Sequence, residues 1–127
     1  MDLKEVATSW IKMWGYDVND PQREQFDWVA DFEYDAVYEN PDLALDLVLE
    51  ILRQDPSSDI IEVLAAGPLE QVLAENGSSI IERVESTARM NPNFAHLLGG
   101  VWQNSMSDEI WKRVKNVWNR SGWDGNA

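Results

Sequence analysis

The chain has 127 residues, 44% of them hydrophobic, with seven tryptophans and no cysteine. That length fits one domain with a substantial apolar core, and the lack of thiols excludes disulfides, thiol nucleophiles and thiolate zinc sites. A net charge of −13 opposes direct binding to nucleic acid or to an anionic membrane, and favours a basic protein surface or a metal cation as partner.

The amino end, Met1-Asp2-Leu3-Lys4-Glu5, carries acids with no apolar run behind it, so no signal peptide is expected. Leu3, Val6, Ala7, Trp10 and Trp14 repeat at three and four and predict a helix over 2–15. Asp20-Pro21 starts a second helix, 21–39, whose apolar side is set by Trp28, Val29, Phe32 and Ala36. Asn40-Pro41 opens a third, 41–54, in which Leu43, Leu45, Leu47, Leu49 and Ile51 alternate as a strand would. Its Asn-Pro start, its length and its polar line at Asp42, Asp46 and Glu50 instead predict a helix buried on most sides, at the centre of the domain.

Asp55-Pro56-Ser57-Ser58 reads as a turn before a helix at 58–66, and Gly67-Pro68 as a break before another at 68–76. Gly77 reads as a helix-terminating glycine, with Ser78 or Ser79 capping 79–90. Asn91-Pro92 begins a short helix at 92–98; Gly99-Gly100 stops it and turns Trp102 into the core. The last helix, 108–121, has the clearest stripe, Ile110, Trp111, Val114, Val117 and Trp118. Serines at 57, 58, 78, 79, 105 and 107 fall where helices begin, so capping accounts for all of them. The expected fold is all-α, about seven helices in a compact bundle or a small solenoid-like stack. It forms a single domain over 1–120, with a frayed tail at 121–127 from which Trp123 can dock back. The apolar stretches near 43–52 and 60–66 are too short or too broken by acids to span a bilayer. A cytoplasmic protein is expected.

Charge is divided unevenly. Residues 1–66 hold sixteen acids against four bases, and residues 67–127 seven against six. On the second helix Glu24, Asp27, Asp31 and Asp35 fall within one arc of about 80°, with Tyr34 and Tyr38 flanking it. Like charges four apart cost a few tenths of a kcal/mol per pair, so this ribbon reads either as a solvated face or as a surface for a Lys/Arg-rich partner. Asp42, Asp46 and Glu50 form a second line that reads as the wet edge of the central helix or as an extension of the ribbon. No metal site is expected, because the one histidine, His96, has no Glu three residues before it and Asp27, Asp31 and Asp35 alone make a poor ligand set. No catalytic set is found either: His96 lacks a nucleophile, and Gly99-Gly100-Val101-Trp102 lacks the strand, spacing and lysine of a phosphate loop. Trp10, Trp14, Trp28, Trp111 and Trp118 read as core residues, and Lys112, Arg113, Lys115 and Arg120 as a solvated face.

The blocks Ala65-Ala66-Gly67-Pro68-Leu69-Glu70, Ile80-Ile81-Glu82-Arg83-Val84-Glu85, Asn91-Pro92-Asn93-Phe94, Leu98-Gly99-Gly100-Val101-Trp102 and Trp111-Lys112-Arg113-Val114 resemble an uncharacterised bacterial all-helical domain family of unknown function. The resemblance covers roughly 60–117 and fits the Trp-rich first helix. It implies a bacterial source and carries no catalytic residues. Small acidic proteins of this sort are often encoded beside toxins, an analogy only. The expectation is a binding protein and not an enzyme, without cofactor. It would be an immunity or inhibitor protein that covers a basic toxin domain, most plausibly a nuclease, through Glu24, Asp27, Asp31, Asp35, Tyr34, Tyr38, Asp42, Asp46 and Glu50. A nucleic-acid mimic and a helical metal-dependent enzyme are the alternatives, and oligomeric state is left open.

Overall fold

The computed structural model describes residues 2–123. Within them the chain is helical, with no strand. Helix α1 is Leu3–Met13, and a 3-10 turn at Pro21–Phe26 leads into α2 at Asp27–Glu39. Helix α3 is Pro41–Gln54 and α4 is Ser58–Leu64; a π-helical turn, Ala65–Leu69, joins α4 to α5 at Glu70–Met90. Helices α6 (Pro92–Leu98) and α7 (Asp108–Val117) follow.

The starts of these elements follow from short polar side chains that satisfy otherwise unpaired N–H groups. Asp2 accepts from Lys4 N–H, Asp20 from Gln22, Asn40 from Leu43, Asn91 from Phe94 and Ser107 from Ile110. Pro21, Pro41 and Pro92 occupy first helical positions, where no N–H is needed.

Gly67-Pro68 does not break the chain as expected. The path runs on through the π turn into α5. Proline normally drives the preceding residue out of the helical region because its Cδ strikes that residue's Cβ. Glycine has no Cβ, so the pair passes as a local widening of the helix. The expected break at Gly77 is a kink instead: Asn76 leaves the helical region (φ −135°, ψ 32°) and α5 continues. The Asn76 amide donates to Val37 O at 2.6 Å, filling one of the open carbonyls at the end of α2. Gly77 is buried, and a Cβ there would stand 3.1 Å from the Ile110 side chain, so glycine permits the close approach of α5 to α7. Ser78 and Ser79 lie within α5 and do not cap it.

The core is organised on α3, which buries Ala44, Leu45, Leu47, Val48, Ile51 and Leu52 against α1, α2 and α5. A central helix touching non-successive helices is the bundle and not the stack, whose repeats meet only neighbours. Trp10, Phe94 and the leucines at 45, 64, 69 and 97 are fully enclosed.

Residues 121–123 of the expected tail form a turn that brings Trp123 against α6; residues 124–127 lie outside the described residues. This strap adds donors to carbonyls at the end of α6, two of which Gly99 N–H also reaches. Asn119 N–H bonds Ala95 O at 2.8 Å, Trp123 Nε1 bonds His96 O at 2.6 Å, and Arg120 bonds Gly99 O at 2.8 Å. Gly99 and Gly100 leave room for it, since a Cβ on Gly99 would run into the Asn119 carbonyl and one on Gly100 into the Trp123 ring. Trp102 does not enter the core. It is 65% exposed, while its neighbour Val101 is fully buried.

Gly99→Ala is expected to destabilise the fold by about 1–3 kcal/mol, as overpacking against backbone does, measured by urea unfolding. Gly100→Ala should cost clearly less in a Trp123→Ala background than in the natural chain, because the ring it displaces is gone.

Candidate functional site

Helix α2 turns Val29, Ala36 and Val37 inward, with Phe32 partly buried beside them. The buried arc is therefore rotated from the one expected, and Trp28 lies 39% exposed at its margin. Asp27, Asp31 and Asp35 face outward on the opposite side. Glu24 precedes the α-helix, in the 3-10 turn, so it does not continue the helical ribbon, although it too is exposed. Tyr34 and Tyr38 are 63% and 46% exposed, and their rings pack 4.6 Å apart at 37°. The charge of Glu75 raises the Tyr38 phenol above its ordinary value, with smaller contributions from burial and Tyr34. Among the described residues no ion pair involves Glu24, Asp27, Asp31 or Asp35.

The second carboxylate line differs in being paired within the chain. Arg83, reaching from α5, bonds Asp42 Oδ1 at 3.2 Å and Asp46 Oδ1 at 2.5 Å, and also takes the Asp42 carbonyl. Glu50 accepts two bonds from Arg53, at 2.9 and 2.6 Å, and one from Gln54 at 2.8 Å. Those bonds hold the Glu50 carboxyl at about 2, well below the usual range. Asp42, Asp46 and Glu50 are thus engaged by the chain's own arginines, unlike the acids of α2.

The basic residues of α7 are not simply solvated. Arg113 forms a two-point pair with Glu85, at 3.0 and 2.5 Å, and Lys115 sits 5.5 Å from the Trp111 ring. Arg120 lies between the Trp102 and Trp118 rings, 5.5 and 5.2 Å from their centres. Trp14, expected in the core with Trp10, is 37% exposed and carries the Arg23 guanidinium over its ring at 4.2 Å. Among the described residues no group of three or more His, Asp or Glu side chains converges as metal ligands.

One acidic residue escaped the sequence reading. Glu33 stands between Val29 and Val37 on the inward side of α2, in line at a spacing of four. Trp10 is fully buried, and its indole N–H needs an acceptor; Glu33 Oε1 provides it at 2.7 Å. Burial pushes the Glu33 carboxyl above its ordinary value, against the opposing effect of that hydrogen bond. The signal was present in the sequence: an acid in the middle of an apolar line. Glu33 lines a cleft of about 440 Å³ with Trp14, Glu62, Val63, the π turn and Gln71.

These features define an all-helical domain with an unpaired acidic face on α2 and a partly buried carboxylate, Glu33, on the other side of that helix. The chain belongs to a family of unknown function, DUF6869, whose model matches residues 17–122. That match takes in the acidic segment from Asp17 onward and leaves α1 outside it. No curated protein and no solved structure shows significant similarity to the chain. Among the described residues no helix is long and apolar enough to cross a membrane.

Two pH effects of opposite sign are expected. A raised folded-state value for Glu33 means that its contribution is most favourable below the normal carboxylate range and is lost as pH rises. Glu33→Gln should therefore raise the melting temperature at pH 7, and that gain should shrink as the pH is lowered towards 4. Glu50, held low, contributes above the normal range and loses that contribution as pH falls towards about 2. Glu50→Gln should flatten the acid limb of the stability profile, read by thermal denaturation from pH 6 to 2.

Proposed function

We propose that this protein is a bacterial inhibitor of the immunity-protein kind, which neutralises a basic toxin domain in the cytoplasm, a nuclease above all. The observation that carries the reading is the outer face of α2, where Asp27, Asp31 and Asp35 stand with no cation of their own beside the paired rings of Tyr34 and Tyr38. Four acids outside this face, Asp42, Asp46, Glu50 and Glu85, are paired with the chain's own arginines. Acids left bare four residues apart repel one another and are better satisfied by an external Lys/Arg surface.

A nuclease cleft is basic because it binds phosphates, and an acidic face gains fast, salt-sensitive association with it. In such a complex the acids steer the encounter. The two tyrosines, large and exposed, anchor it once water is excluded. A nucleic-acid mimic would need a second bare row to follow the other strand of a duplex, and the row on α3 is occupied by Arg83 and Arg53. That arrangement favours a protein surface over a duplex-binding groove.

Capture of partners from the native host at low and at high salt tests the reading. A basic protein should be retained at low salt and released as salt rises. Asp27→Asn/Asp31→Asn/Asp35→Asn should slow association at low ionic strength by about tenfold or more, whereas Asp42→Asn/Asp46→Asn should leave the association rate nearly unchanged. Recovery of no basic partner at either salt concentration, or equal effects of the two variants, would count against the proposal.

A further inference from the structure

We infer that Asn76 is a site of spontaneous deamidation, restrained by the joint between α2 and α5 and loosening that joint once it has reacted. The inference does not rest on the function proposed for the α2 face. Asn76-Gly77 is the one Asn-Gly step in the sequence. It falls at the kink of α5, where Asn76 leaves the helical region (φ −135°, ψ 32°).

Deamidation starts when the backbone nitrogen of the next residue attacks the asparagine side-chain carbonyl. A side chain on that next residue crowds the attack, and glycine has none. The Gly77 nitrogen gives up its proton and bonds to Asn76 Cγ; the Cγ–Nδ2 bond breaks, and ammonia leaves carrying that proton. Water then opens the five-membered imide at either carbonyl. One opening leaves an aspartate at position 76, and the other an isoaspartate, whose main chain runs through the side-chain carbons. Water is the only co-reactant, and nothing is oxidised or reduced.

The fold both permits and restrains this step. An unbroken helix holds each residue against the rotation that the attack requires; at Asn76 the helix is already interrupted. In the closed joint Asn76 Nδ2 donates to Val37 O at 2.6 Å and Gly77 is buried. The reaction therefore proceeds when α5 draws away from α2 and frees the amide. Its product cannot restore the contact. Residue 41, which would serve Val37 O if α2 continued, is a proline without an N–H, so the carbonyl relies on Asn76. A carboxylate only accepts hydrogen bonds, and at the carboxyl end of α2 it meets the negative pole of the helix. It also adjoins Glu75, whose charge already acts on Tyr38 at the same helix end.

The test follows the full chain by peptide mapping and mass spectrometry at pH 8.5 and 37 °C, folded in buffer and unfolded in guanidinium chloride. Aspartate and isoaspartate should accumulate at position 76 in both, about tenfold to a hundredfold more slowly in the folded chain. Asn76→Asp should lower the melting temperature at pH 7 by more than Asn76→Ala does, since only the former adds an anion. Its deficit against the natural chain should shrink towards pH 4, where a protonated carboxyl donates again, while that of Asn76→Ala stays level. Equal rates in the folded and unfolded chains would overturn the inference. So would a folded chain unmodified at position 76 after several hundred unfolded half-lives, or deficits of the two variants that match at both pH values.

Discussion

With ten cationic side chains for twenty-three acids, every ion pair made in one place leaves carboxylates bare in another. Three of the arginines carry the ion pairs seen among the described residues. Arg83 ties α5 to α3, Arg113 ties α7 to α5, and Arg53 with Gln54 neutralises Glu50 within α3. These pairs stand at the surface, where water screens the attraction and each adds little to stability. Two of them, from Arg83 and Arg53, also discharge the acids of the central helix. The outer face of α2 is among the surfaces this allocation leaves bare.

A similar trade appears inside the fold. Enclosing Trp10 completely removes a large aromatic surface from water but demands an acceptor for its N–H. A neutral acceptor would meet that demand without a desolvated charge. The chain uses Glu33 instead, and adds the exposed indole of Trp14 and the carboxylate of Glu62 around the same space. Trp10 in α1 and Trp14 at its end both lie before the matched residues 17–122.

Much of the architecture could be read directly because it is local. Asp20, Asn40, Asn91 and Ser107 announce helix starts through bonds spanning two or three residues. Glycine was misread wherever its role is contact and not turning: Gly77 admits Ile110, and Gly67 lets the helix pass a proline. The tryptophans were misplaced for a related reason. Periodicity locates a stripe but not which edge of it meets the core, and Trp14, Trp28 and Trp102 fall on the outer edge or beyond the helix. Of the site, the α2 acids were visible as a pattern. The neutralisation of Asp42 and Asp46 was not, because Arg83 is 41 and 37 residues away and nothing in local sequence couples them.

The strap over α6 makes one end of the domain depend on residues far along the chain. Carbonyls of residues 95, 96 and 99 receive donors 21 to 27 positions further along, and Gly99 N–H reaches only the first two from within the helix end. Detachment of residues 119–123 would strip the Gly99 carbonyl of its Arg120 partner and uncover the double glycine, so local opening at this end is governed by the strap and not by α6 alone.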